Sequence, residues 1–430
     1  MKKVLIVTYY WPPAGGAGVQ RVLKFVKYLP QFGWEPIILT VEKPDSPVED
    51  TSLLKDITEG TRVYKTKSLE PFELYKKFIG KEKSSKIPSD VLVSKKNLST
   101  KDKISNWIRL NVFIPDAKIG WKHYAVNKGL EIIEAENIDL IFTTSPPHTV
   151  QLIGRSLANK SGLKWIADFR DPWMEMIHYQ ANNRSKLAVS LESKIEKSIL
   201  RNADRIITVS NEIKKLFNSK TENIKVEVIP NGYDETDVNI DFTPPVKSDF
   251  VISYTGIISE TKIPFALLRA VKKLKEEGFA NIKIIFAGKV PDEFNDAILS
   301  LKLEKNYQFK GYLSHRESVQ LLLESDILLL IIDDIPNNKG ILTGKLFEYL
   351  GTKRPIFAIG PVDGDANEVI KTSNSGEMVD YSDDEGAYNL LKKMYKEWEE
   401  NSASYSYDVE PFSRKNLTKQ LAEVFEETII

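Results

Sequence analysis

The chain has 430 residues, 42% hydrophobic and 28% charged, with Lys+Arg and Asp+Glu both totalling 60. That length exceeds one ordinary core and predicts two domains, while the balanced charge argues for neither nucleic acid nor an acidic partner. The absence of cysteine excludes disulfides, thiolate metal sites and a cysteine nucleophile, and fits a reducing compartment.

The opening "MKKVLIVTYYWPP" has the lysines and apolar run of a secretion signal. The run ends at Trp11 and two prolines without a small-residue cleavage site, so it reads as a strand. No apolar run approaches the ~18 residues of a membrane span, and the expectation is a cytoplasmic protein.

Strands are predicted at 3–10, 35–41, 61–66, 139–145, 164–170 and 205–210. Helical patterns lie between them, as in "VQRVLKFVKYL" (19–29), which puts Val19, Val22, Val26 and Leu29 on one face. "TSPPHTVQLIGRSLA" predicts a helix capped by Ser145, with Pro146 at its first position. The loose stretch "ETDVNIDFTPPVKSD" (235–249) is the best linker. A second series follows, with strands at 250–256, 281–288, 307–312, 326–332 and 354–360, and helices at 263–277, 315–324 and near 343–351. Ser314 and Glu317 form a capping-box pattern, and "SRKNLTKQLAEVFEETI" predicts a final amphipathic helix.

This alternation predicts an α/β protein of two Rossmann-like doubly wound domains facing across a cleft. Ligands of such sheets bind beyond the carboxyl ends of the strands. The first strand leads into "PPAGGAG", where Gly16-x-Gly18 begins a dinucleotide fingerprint that Arg21 breaks at its third glycine. Gly15, Gly16 and Gly18 therefore read either as a backbone shaped to approach some other ligand or as a simple turn.

In "NNKGILTGKLFEYLG", Thr343, Gly344 and Lys345 open a helix after an apolar strand. Free N–H groups, the positive dipole end and the Lys345 charge make a phosphate site there. Glu348, one turn later, is placed to accept from a ribose diol. The alternative is a core-facing turn with Glu348 on its wet side.

These segments, with "VIPNGYD" and "FKGYLSHRESVQLLLESDILLLI", occur in the order in which family 4 glycosyltransferases of the GT-B fold carry their motifs, and the chain resembles that family over nearly its whole length. The nearest resemblance is to its bacterial branch in surface-polysaccharide assembly. It implies an N-terminal domain at 1–224 plus a returning helix at 412–430, taking the acceptor, and a donor domain at 225–411. It also implies retention of configuration and transfer from a UDP or GDP sugar to a glycan or lipid-linked acceptor, with no metal or other cofactor.

Carried over by position, Glu348 matches the ribose-binding glutamate, while the family's earlier glutamate falls on Gly340. The resemblance places Gly15, Gly16, Gly18, Thr343, Gly344, Lys345 and Leu346 around the donor, with Lys262 a further cation for its diphosphate. Ile257 stands where many members have arginine. Segments 286–290 and 309–313 match those lining the base pocket. "ADFRDPW" occupies the place of a catalytic histidine, so Asp171 is either a general base or an ion-pair partner of Arg170. Arg21, His148 and Arg170 are candidates for acceptor or phosphate contacts, though a lone histidine is more often structural. His123, His178 and His315 lack metal spacing, and the Asp333-Asp334 pair lacks a metal-site context.

Between residues 75 and 115, lysines mix with Phe78, Ile79, Trp107, Ile108 and Phe113. This stretch reads as a face for the anionic inner membrane or as a solvated excursion. Three other readings stay open: a GT-B sugar-nucleotide epimerase, a non-catalytic sugar-nucleotide-binding protein and, weakest, a dehydrogenase.

Overall fold

Near-continuous apolar strands are the pattern of parallel sheets covered on both faces. The computed structural model describes residues 1–46, 48–69, 100–175, 184–238, 248–279, 281–400 and 406–430. These divide into two compact units, Met1–Pro230 with Leu417–Ile430, and Asn231–Asn416.

In the first unit β1 (Lys2–Val7), β2 (Trp34–Val41), β3 (Arg62–Thr66), β4 (Leu140–Ser145), β5 (Lys164–Phe169), β6 (Arg205–Thr208) and β7 (Val226–Val228) form one sheet. Its order is β3-β2-β1-β4-β5-β6-β7, and every pairing is parallel. Alternate β1 residues enter opposite cores. Leu5 and Val7 pack with Trp121 and Trp165, and Val4 and Ile6 with Phe25, Trp34 and Phe142. The final helix, Arg414–Ile429, completes the second core through Leu417, Leu421 and Phe425. Their spacing of four keeps them on one face, and the Phe425 ring meets Trp34 edge-on at 5.2 Å.

In the second unit β8 (Phe250–Ile257), β9 (Ile282–Lys289), β10 (Tyr307–Phe309), β11 (Ile327–Ile331), β12 (Ile356–Ile359) and β13 (Gly376–Val379) follow. They form a six-stranded sheet ordered β10-β9-β8-β11-β12-β13, again parallel throughout.

The helix predicted from Ser145 starts later, at Thr149. Ser145 is the last residue of β4, paired with Phe169, and the chain turns through Pro146 and Pro147 before the helix begins. Its cap comes from elsewhere in the chain: Asp116 accepts from the Thr149 amide at 2.8 Å and from its hydroxyl at 2.8 Å. The short β7 and β13 have no counterpart among the predicted strands. Of the linker, Glu235–Val238 is a single helical turn, and residues 239–247 lie outside those described. So do Phe78, Ile79 and His178.

Candidate donor site and the loops of the first unit

Loops leaving the two strands at a reversal of strand order diverge and open a crevice. In the second unit that point lies between β8 and β11. The two loops are tied together there. Lys262 Nζ lies 2.8 Å from Asp333 Oδ2, the Thr261 hydroxyl donates to Asp333 Oδ1 at 3.2 Å, and the Asp334 amide donates to the Thr261 carbonyl at 3.2 Å. Asn338 Nδ2 donates to the Asp333 carbonyl at 2.9 Å, and the Tyr381 hydroxyl to the Ile332 carbonyl at 3.1 Å.

The helix Gly344–Thr352 begins where this braced loop ends. Thr343 is its N-cap residue, but the side chain makes no cap hydrogen bond. Its hydroxyl is shielded from solvent and has no hydrogen-bond partner among the described residues. A Cβ placed on Gly344 would meet nothing within 4 Å. Gly344 and Lys345 are the first residues of this helix, so their amides lie at the positive end of its dipole, beside the open space at Gly344.

Lys345 folds back over β8. A Cβ on Gly256 would lie 2.6 Å from Lys345 Nζ, and the Gly256 φ of +128° is itself a glycine conformation. The ammonium sits 5.3 Å from the Tyr254 ring centroid. Burial first, and nearby Lys262 second, lower the Lys345 pKa, with Glu348 and Asp333 opposing. Burial likewise raises the Glu348 carboxyl pKa, against the pull of His315 and Lys345. Both side chains are therefore held where their charged forms are under-solvated. Beside them, the Gly288 amide donates to the Gly311 carbonyl at 2.6 Å, and Tyr312 is 89% exposed.

In the first unit the reversal lies between β1 and β4. Gly18 makes room for a side chain there: a Cβ would fall 1.7 Å from Arg170 Nη1. Arg170 Nη2 donates to the Pro146 carbonyl at 3.3 Å. Burial lowers the Arg170 pKa, while Asp171 and Asp168 act to raise it. Asp171 is partly exposed beside it. Gly15 packs on the neighbouring loop, its amide donating to the Val48 carbonyl at 2.9 Å. Gly16 precedes the helix Ala17–Tyr28 with φ +108°.

Three expectations are corrected. Arg21 has no access to a ligand: it is fully buried, with Nη2 2.9 Å from Asp168 Oδ1, Nε 3.3 Å from Oδ2 and Nη1 2.9 Å from the Pro230 carbonyl. His148 is 2% exposed and stacks on Trp173 at 4.3 Å and 7°, so it supports the loop from within. The Leu346 side chain lies in the core, and its amide donates to the Thr343 carbonyl. Lys262 is engaged by Asp333, a partner that the "DD" ending an apolar strand could have indicated. Asn338 and Tyr381 carried no sequence signal, because their role depends on the loop's path. Among the described residues no three metal-ligating side chains converge, and no helix is long and apolar enough to cross a membrane.

Two compact units, each a parallel doubly wound sheet covered by helices, are the architecture of the GT-B fold. The chain belongs to the family 4 glycosyltransferases of that fold and is a glycosyltransferase: the family described as Glycosyltransferase Family 4 matches residues 90–237, and Glycosyl transferases group 1 matches residues 236–407. A glycosyltransferase from Rickettsia africae is similar at 17% identity with a TM-score of 0.63, covering 100% of this chain and 98% of that one. Anabaena HepE in complex with UDP is similar at 14% identity and TM-score 0.62, covering 99% and 100%. A sucrose-phosphate synthase from Thermosynechococcus elongatus is similar at 14% identity and TM-score 0.53, covering 100% and 96%. No curated protein sequence matches the chain.

Proposed function

We propose that this glycosyltransferase takes its sugar from a nucleoside-diphosphate sugar bound in the second unit and passes it, with retention, to a glycan or lipid-linked acceptor in surface-polysaccharide assembly. One observation carries the donor assignment. Thr343 stands at a helix start without capping it, beside the first-turn amides of Gly344 and Lys345 and a lysine held under-solvated. A diphosphate would satisfy all three, because oriented N–H groups and a fixed cation stabilise negative charge most where water is excluded.

As the sugar–phosphate bond breaks, charge gathers on the departing diphosphate. Lys345 and the 344–345 amides are set to receive it, with Lys262 contributing through its pair with Asp333. Glu348 lies one turn further along the same helix, within reach of a ribose diol. In the first unit Asp171, next to Arg170, is the group assigned to accept the acceptor proton. No protein nucleophile is required, since the acceptor attacks on the face from which the diphosphate leaves. Binding of UDP by the similar Anabaena protein supports a nucleotide sugar as donor.

A membrane-facing acceptor is supported by the first unit's surface. Trp107 is 51%, Val112 58% and Leu187 80% exposed, and the Ser185 amide donates to Asn111 Oδ1 at 2.6 Å, joining the segments that carry them. Co-sedimentation with phosphatidylglycerol vesicles but not phosphatidylcholine vesicles is expected.

The test of the donor site is thermal stabilisation by UDP, GDP and their sugars, repeated on Lys345→Gln and Glu348→Ala. Losing a charged hydrogen bond of about 1.5–3 kcal/mol predicts roughly ten- to hundredfold weaker binding. If neither diphosphate stabilises the wild type, the donor assignment fails. If donor is consumed without any acceptor, an epimerase replaces the transferase.

A further inference from the structure

A cavity of about 490 Å³ lies in the first unit, where the helix Lys122–Glu136 packs beside the helix Thr149–Ser161. Lys122, His123, Asn127 and Lys160 line it, with Val126 on its apolar side. None of these residues takes part in the reaction proposed above. Asn127 Nδ2 and His123 Nε2 lie 3.3 Å apart. Arg155 stands close behind, its Nη1 donating to Ser198 Oγ at 2.7 Å.

The charges around this cavity have one sign. Among the described residues Lys122, Lys160 and Arg155 form no ion pair, and no acid lines the cavity. Lys122 is also the first residue of its helix, where the dipole disfavours a cation. Burial lowers its pKa, and Arg155 and Lys160 lower it further, with no acid opposing them. Burial also lowers the Arg155 pKa. Holding like charges together without a counter-charge is costly, and an anion in the cavity would relieve each of these strains at once.

We propose that this cavity is a second anion site, binding a phosphate ester between Lys122, Lys160 and His123, with Arg155 reinforcing the field. Its size suits a phosphate carrying a small polar substituent. Two sources present that chemistry, a soluble phosphate ester and a phospholipid headgroup at a membrane surface.

Histidine NMR tests the proposal on the full chain, because the four histidines give few signals and His123→Gln assigns the one in the cavity. Inorganic phosphate and glycerol 3-phosphate are titrated first, then vesicles of phosphatidylglycerol or of phosphatidylcholine. A saturating shift of the His123 signal is expected, and Lys122→Gln/Lys160→Gln should weaken it by about tenfold or more. His123→Gln removes the signal itself, and an unchanged melting temperature shows that the double variant is folded. A response to the soluble esters assigns a soluble ligand, and one confined to phosphatidylglycerol vesicles assigns a headgroup. A His123 signal unmoved by all four probes overturns the proposal. So does a shift of equal size and midpoint in the double variant, which would place the anion elsewhere.

Discussion

Replacing Arg21 with alanine separates two roles that the sequence leaves open, holding a phosphate and holding the first unit together. In the structure Arg21 and Asp168 are both fully buried, joined by contacts of 2.9 and 3.3 Å. Without Arg21, Asp168 keeps the Thr144 hydroxyl at 2.6 Å but loses its only direct ionic partner among the described residues, and the Pro230 carbonyl loses a donor at 2.9 Å. Removing one member of a buried pair costs about 3–5 kcal/mol, because the other is left charged and under-solvated. For a unit of this size each kcal/mol lowers Tm by about 2–4 °C, so Arg21→Ala should lose about 10 °C in scanning calorimetry. The double variant Arg21→Met/Asp168→Asn, which removes both charges while keeping most of the volume, should recover much of that loss. At temperatures where the single variant is folded, its UDP affinity should equal the wild type's. A loss below about 1 kcal/mol, or normal stability with weakened UDP binding, would refute the buried-pair account and return Arg21 to the ligand.

Gly344→Ala should leave stability unchanged or raise it by up to about 1 kcal/mol, since alanine is the better helix former and its Cβ meets no protein atom. Calorimetry and UDP titration together check that the same variant binds donor more weakly. Glu348→Gln should raise Tm near neutral pH, because burial raises the Glu348 pKa above its ordinary 4.5. The folded chain then holds that proton more tightly than the unfolded chain, so stability is fully present below 4.5 and is lost as pH rises through the folded value. The gain of the glutamine variant should therefore shrink as melts are taken toward acid. Asp116→Ala removes the cap of the helix Thr149–Ser161 and should cost about 1–2 kcal/mol in urea unfolding.

The alternating strand and helix pattern was legible because both signals are local. The capping box at Ser314 and Glu317 forms with both of its bonds, and Val19, Val22, Val26 and Leu29 are all buried on one helix face. The helix after β4 was misplaced because its cap, Asp116, lies 33 residues away in sequence, where no local pattern reaches. The same reason hid the stack of His148 on Trp173. A polar residue's type is written in the sequence, but its partner is set by topology.

Glycines show the distinction most sharply. Gly18 and Gly344 both stand in the first turn of a helix, and from spacing alone both read as places where a ligand meets the backbone. Their surroundings differ. The space a Cβ would take at Gly18 is filled by the Arg170 guanidinium, so the protein's own packing demands glycine there. At Gly344 no protein atom makes that demand, and φ lies outside the left-handed region. A helix's first turn gains stability from almost any residue other than glycine, so a glycine that packing does not require points to something outside the chain. Beside it lie a threonine hydroxyl without a hydrogen-bond partner among the described residues and a lysine held away from water, both of which the proposed donor diphosphate would serve. Gly18→Ala should therefore disturb Arg170 and the acceptor side, Gly344→Ala the donor alone. Steady-state kinetics that show both variants impaired toward the same substrate would undo the assignment of the two glycines to separate tasks.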